Sequence, residues 1–194
     1  MNYPPGKDSC DRWLALLLAC VMFTVTASPS LLADAYDDRR ALVGLNLFRT
    51  FLSADPLLAR KVSDGCLRVV MLFVDSQRSA DDMAERLRTS LQKGVADQPV
   101  CVTSEPLSQL HTDQHNAAIF VSERLNDDER QQLVQYGIRQ RIAVFSPFEG
   151  DVERGILGGI SVEASVRPAI NRTTLNASGI ELKSFYLSVA RIYE

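Results

Sequence analysis

The sequence of 194 residues has little of what most catalytic sites are built from. Its only two histidines, His111 and His115, lie in one polar stretch with Asp113 between them. No Gly-x-Ser-x-Gly motif occurs, and no serine has an identifiable histidine partner, so a hydrolase triad is not expected. Zinc sites need three or four ligands, and this stretch places no convincing third one. The sequence therefore predicts a protein that is not an enzyme and holds no metal or cofactor.

Concentrated positive charge is also missing. The 21 lysines and arginines are scattered among 24 acidic residues, apart from the pairs Arg39–Arg40 and Arg60–Lys61, and the net charge is −3. Proteins whose main partner is nucleic acid or an anionic lipid surface carry a basic stripe or patch, so neither partner is expected. The glycines of residues 155–159 lack the lysine of a phosphate-binding loop, and they predict a bend or a close backbone approach.

The longest apolar run is shorter than the roughly 20 residues of a membrane span. This run, from Trp13 to Val25, reads WLALLLACVMFTV and follows Lys7 and Arg12, an order typical of a secretory signal peptide. We therefore expect residues 1–35 to form a cleaved signal peptide and residues 36–194 to form one periplasmic domain.

Small residues near the end of this segment supply the expected cleavage region. Ala33 and Ala35 form the best match, and Val25 to Ala27 form an earlier option. An uncleaved anchor and a lipid attached at Cys20 are the alternatives to cleavage.

Cleavage at this position leaves two of the four cysteines, Cys66 and Cys101. Two cysteines in an exported domain predict one disulfide bond, because oxidising compartments form and keep such bonds. The alternative is that both are small buried side chains in neighbouring strands.

Hydrophobic patterning predicts an α/β sandwich with a largely parallel central sheet flanked by helices. Cys66 to Val74, CLRVVMLFV, is typical of a strand buried on both faces. Helices are expected around it from Asp34 to Leu52, from an N-cap at Ser79 to Gly94, and from Asn126 to Gly137. The remaining core strands are predicted at residues 99–103, 117–122 and 142–145.

The C-terminal part of the chain predicts a mixed strand pair followed by the final helices. Residues 155–164 and 166–170 are expected to form a hairpin or an edge pair. A short helix should end at Gly179, a structural turn residue, and Ser184 should begin the last helix, with Phe185, Val189 and Ile192 on one face. A surface for a protein partner is predicted at three apolar residues after the fourth core strand: Phe148, Val152 and Ile156.

The segment from Ile142 to the C-terminus, beginning IAVFSPFEGDVERGILGGISVEA and ending SFYLSVARIYE, resembles the YfiR family of bacterial periplasmic regulators. CLRVVMLFV, AAIFVS and NDDERQQLVQYG extend this resemblance over roughly residues 36–194. It implies a protein that represses an inner-membrane diguanylate cyclase, or a similar membrane sensor, and so lowers cyclic-di-GMP and biofilm formation. Cys66 lies near a family cysteine position, but Cys101 does not match its usual partner, and redox sensing by the family's second cysteine pair does not carry over.

A periplasmic sensor that binds a small ligand is the alternative function. Parallel α/β sheets bind ligands beyond the carboxyl ends of their strands. Polar pairs follow the four predicted core strands, at residues 75–76, 104–105, 122–123 and 146–147. The ligand stays unidentified, and the sequence leaves open whether the chain forms a homodimer.

Overall fold

A computed structural model describes residues 29–111 and 115–194, with side chains from Tyr36 onward. Most of the predicted signal peptide therefore lies outside the described residues. The backbone at Ala33 and Ala35 is helical, but their side chains are not described, and cleavage there stays a prediction. The chain divides into Met1–Asp37 and Asp38–Glu194, and the second unit contains the whole of the sheet described below.

Five helices and eight strands make up the described residues, with two short 3-10 helices at Leu58–Lys61 and Leu107–Gln109. The helices are α1 (Pro29–Ser53), α2 (Gln77–Ser90), α3 (Asp127–Gln140), α4 (Arg172–Ser178) and α5 (Ser184–Val189). The strands are β1 (Val62–Ser63), β2 (Cys66–Phe73), β3 (Val100–Pro106), β4 (Ala118–Val121), β5 (Ala143–Ser146), β6 (Gly158–Val162), β7 (Val166–Asn171) and β8 (Arg191–Tyr193).

The eight strands form one open, largely parallel sheet, which confirms the predicted fold class. β3 and β4 both pair in parallel with β2, and β5 and β6 continue in parallel beyond β4. Two pairs are antiparallel, β1 with the start of β2 and β6 with β7. The predicted hairpin of β6 and β7 is confirmed, but β8 pairs in parallel beyond β7 and forms the outer edge.

Helices cover both faces of the sheet because its central strands are apolar on both sides. Side chains of α1 and α2 pack on one face, and those of α3 pack on the other. Four phenylalanine rings form the centre of the first face, with centroids 5.3 to 6.2 Å apart. They are Phe48, Phe51, Phe120 and Phe145. Each buried side chain of this size contributes about 1.5–3 kcal/mol.

The close approach of the Phe51 ring to the backbone of β6 explains why residue 158 is a glycine. A Cβ at Gly158 would lie 2.7 Å from the Phe51 ring, so a larger residue would push α1 away from β6.

The helix ends only partly match their predicted positions. Asn126 forms a capping box with Glu129 at the start of α3, as expected, but α3 continues to Gln140. Ser76, not Ser79, is the N-cap of α2, because the Ser76 side chain accepts a hydrogen bond from the Ser79 amide. The last helix stops at Val189, since Ala190 is extended and leads into β8. Ile192 therefore lies on a strand, and the predicted helical face that included it is wrong.

Gly179 ends α4 with φ of 63° and ψ of 22°, the left-handed conformation that the sequence predicted. No atom outside its neighbours lies within 4 Å of a Cβ placed there, so the expected cost of a larger residue is in the backbone alone. We expect Gly179→Val to lower the free energy of unfolding by about 1–2 kcal/mol, measured by urea denaturation. Gly179→Asn is the control, because asparagine tolerates this conformation. Equal losses in both variants would contradict the backbone explanation.

Candidate functional site

The carboxyl edge of the parallel strands is the place where this architecture forms ligand crevices. α2 follows β2 on one face and α3 follows β4 on the other, although the two strands are neighbours. The chain order of the parallel strands across the sheet is therefore the doubly wound 2-1-3-4-5, with a topological switch point between β2 and β4. Ligands in doubly wound proteins bind outside the strand ends at such a point.

A carboxylate of the protein itself occupies this switch point. Glu123, just after β4, accepts hydrogen bonds from the backbone amides of Val74, Asp75 and Ser76, which follow β2. The Asp75 and Ser76 nitrogens lie 2.6 and 3.0 Å from the Glu123 oxygens. Successive amides at the start of a helix are the groups that hold phosphate or carboxylate ligands in other proteins. In this chain, Glu123 satisfies them internally.

Ser122 and Glu105, two of the other predicted strand-end residues, also bond within the protein, whereas the buried Ser104 hydroxyl has no hydrogen-bond partner among the described residues. The Ser122 hydroxyl donates to the Leu72 carbonyl at 2.7 Å. One Glu105 oxygen accepts from Arg68 and from the Thr103 hydroxyl. The polar residues after the strands thus lie at one edge of the sheet, as expected. The hydrogen bonds of Ser122, Glu105 and Glu123 are formed with other groups of the protein.

Ser146, at the end of β5, belongs to a buried ionic network. Its hydroxyl donates to Asp151 at 2.5 Å and accepts from the Phe148 amide at 3.2 Å. Arg130, on α3, donates to Asp151 at 2.9 Å and to the Leu125 carbonyl at 3.1 Å. The side chains of Arg130 and Asp151 are 6% and 4% exposed. This network fastens α3 to the connection between β5 and β6.

The predicted partner surface at Phe148, Val152 and Ile156 is wrong. These side chains are 4%, 2% and 0% exposed, and Phe148 and Ile156 pack in the core on the α3 face of the sheet. They lie between β5 and β6, two parallel neighbours that can be joined only by a connection that crosses over the sheet. That connection covers the sheet and therefore buries its apolar residues.

The exposed apolar side chains lie elsewhere. Phe185 on α5 is 79% exposed, and Val189, one turn later on the same helix face, is 44% exposed. The sequence predicted both residues on one face of this helix, and the buried residue of the helix is Tyr186. Burial raises the pKa of Tyr186, so its hydroxyl stays neutral at physiological pH. Smaller exposed apolar groups are found on α1 (Tyr36, Leu42, Val43), at Leu57, and on the β6–β7 hairpin (Val162, Val166).

Cys66 and Cys101 form the predicted disulfide, with their Cα atoms 5.8 Å apart. The bond joins β2 to β3 at the amino end of the sheet, and Cys101 is exposed on this outer strand.

The described residues contain no group of three or more metal-ligating side chains, and none of their helices is long and apolar enough to cross a membrane. Asp113, between the two histidines, lies outside them.

No protein-family model matches this chain, and no curated protein matches it. Among solved structures, the ABC domain of Streptococcus pneumoniae, determined in complex with L-Trp, is similar at a TM-score of 0.50 and 13% identity, over 73% of this chain and 61% of that one. A ligand-free, open substrate-binding protein with adhesive properties from Clostridium difficile has a TM-score of 0.48 at 14% identity, over 71% and 58%. This chain thus spans about three fifths of each, and the likeness to the first shows a shared fold.

Proposed function

We propose that the protein is a periplasmic regulator that binds the periplasmic part of an inner-membrane signalling enzyme, such as a diguanylate cyclase, and represses it. The resemblance to the YfiR family suggests this function, and the observation that carries it is the exposed ring of Phe185. A large aromatic side chain that is solvent-exposed on a folded helix is the kind of residue that dominates protein interfaces.

The surroundings of Phe185 hold it in a fixed place. The neighbouring Tyr186 ring packs 6.1 Å from Phe51 in the core. Lys183, at the start of α5, donates its amide to the Ala54 carbonyl and its ammonium to the Ser53 carbonyl, both at 2.8 Å. These bonds hold α5 against the end of α1. Binding of a partner would therefore cost little conformational entropy, because the helix that carries Phe185 is already ordered. We define Phe185 and Val189 as the α5 patch and propose that an apolar surface of the membrane protein covers it.

Replacing Phe185 with serine should abolish repression while leaving the fold intact. A strain carrying Phe185→Ser is expected to show the raised cyclic-di-GMP and biofilm of a gene deletion, and the membrane partner should no longer co-purify with the tagged protein. Because the ring is exposed, the melting temperature should stay within about 2 °C of the parent value.

Leu42→Ser is the matched control, since Leu42 is an exposed apolar residue of α1 that lies about three helical turns before Ser53, where Lys183 holds α5. This variant should repress normally. Unchanged cyclic-di-GMP in the deletion strain would refute the regulatory function. If deletion of the gene raises cyclic-di-GMP but Phe185→Ser still represses fully, the α5 patch is not the binding surface.

A small-ligand sensor is the second candidate function. Because Glu123 already fills the switch point, the carboxyl edge gives this function little support. The observation that favours it is a basic cleft at the opposite edge of the sheet, lined by Arg60 and Arg141.

A further inference from the structure

A cleft of about 530 Å³ opens at the amino ends of β4 and β5. One wall is the chain from Arg60 to Ser63, which includes β1, and the other is the turn from Gln140 to Ile142 between α3 and β5. His115 and Asn116, just before β4, complete it. Small-molecule sites have volumes of roughly 300–1,000 Å³, so the cleft is of a suitable size.

The cleft carries positive charge on a protein whose net charge is −3. Arg60, Lys61 and Arg141 line it, and no carboxylate does among the described residues, which do not include Asp113. Lys61 forms an ion pair with the buried Asp55 at 2.8 Å, so its charge is largely compensated. Within residues 36–111 and 115–194, the guanidinium groups of Arg60 and Arg141 form no ion pair with an acidic residue. Two unneutralised guanidinium groups therefore stand on opposite walls.

Both walls are held by local structure. Arg141 ends α3 in the left-handed conformation, with φ of 56°, and its amide bonds to the last turn of the helix. Arg60 lies in the 3-10 helix Leu58–Lys61, which Asp55 anchors by accepting from the Leu57 amide at 2.7 Å and pairing with Lys61. A cation is favourable at a helix C-terminus, which applies to Arg141 after α3 and, more weakly, to Arg60 in the last turn of the short 3-10 helix.

We propose that this cleft binds a small anion carrying phosphate. A guanidinium group presents planar, paired N–H donors that match phosphate oxygens, and two such groups on facing walls can share one tetrahedral dianion. The Gln140 amide, also in the lining, can donate to a remaining oxygen, whereas the Ser63 hydroxyl donates to the Asp64 carboxylate at 3.5 Å. This inference does not depend on the regulatory function or on the α5 patch.

The probe for the cleft is inorganic pyrophosphate, titrated calorimetrically into the purified protein at 0.15 M salt. The parent protein should bind it saturably with one site per chain. The double variant Arg60→Gln and Arg141→Gln should bind at least about tenfold more weakly, because it loses both charged donors.

A second double variant, Arg139→Gln and Arg167→Gln, removes the same charge from exposed arginines that do not line the cleft. It should bind like the parent. Circular dichroism melts of both double variants should coincide with that of the parent within about 4 °C, since all four arginines are on the surface.

Either of two calorimetric results would overturn the proposal: no saturable binding by the parent, or equal weakening in both double variants, which would indicate general ionic attraction. Binding to phosphatidylglycerol vesicles is measured as well, because a lipid headgroup carries the same phosphate chemistry. Binding to vesicles that depends on Arg60 and Arg141, without binding of pyrophosphate, would overturn the small-molecule site and assign the cleft to the membrane surface.

Discussion

Replacing Cys66 and Cys101 together with serine is expected to lower the free energy of unfolding by about 4 kcal/mol. The disulfide spans 35 residues, and the entropy of closing a loop of that length in the unfolded chain accounts for this magnitude. Such a loss is a large part of the 5–15 kcal/mol that stabilises a typical domain. Guanidinium or urea denaturation of the oxidised parent and the double variant measures it.

Reduction of the parent protein is the control for this prediction. The reduced parent should unfold at the same denaturant concentration as the double variant, and reductant should leave the double variant unchanged. Agreement would show that serine itself adds no cost at either position. A midpoint that does not move when the bond is removed would contradict the prediction and indicate that the ladder between β2 and β3 is sufficient.

Asp151→Ala is expected to cost about 3–5 kcal/mol. Asp151 is the main charge partner of Arg130, and both side chains are almost completely buried. Removing the carboxylate leaves the buried guanidinium with Asp127, whose side chain is 84% exposed, as its remaining acidic partner among the described residues. It also takes away the acceptor of the Ser146 hydroxyl. Denaturant unfolding of the purified variant measures the loss, and the variant should accumulate poorly in cells.

Glu85→Ala is the matched control, because it also removes the carboxylate of an ion pair to arginine. The pair of Glu85 with Arg88 lies on the surface, with side chains 70% and 44% exposed. Its loss should change the unfolding free energy by less than about 1 kcal/mol. If the two variants lose the same stability, the network of Arg130, Asp151 and Ser146 does not fasten α3 in the way described.

Features that depend on neighbours in the sequence could be predicted. The run CLRVVMLFV is apolar at nearly every position, and β2 is accordingly buried on both faces. The acidic residues after Asn126 and the glycine at position 179 specify a helix start and a helix end by local hydrogen bonding and backbone conformation. These signals were enough for the fold class, whereas the disulfide was predicted from the two cysteines that remain in an exported domain.

Features that depend on contacts between distant parts of the chain could not be predicted from the sequence. Whether Phe185 or Tyr186 is buried depends on α5 stopping after six residues, and it stops where the chain turns to pair with β7. Glu123 finds its amide partners 47 to 49 residues earlier in the chain. The cleft of Arg60 and Arg141 joins segments about 80 residues apart, and neither segment has a motif of its own. Contacts between residues so far apart in the chain leave no periodic pattern in the sequence.

The carboxylate of Glu123 has a consequence for how the proposed regulator would work. Ligands of doubly wound proteins bind outside the strand ends at the switch point, where successive amides can hold an anionic group. In this chain a tethered side chain supplies that group permanently. The amides at the switch point are therefore bonded without any ligand, and this edge of the sheet can keep one conformation. Regulation would then come from whether another molecule is attached to its surface, rather than from opening and closing around a bound metabolite.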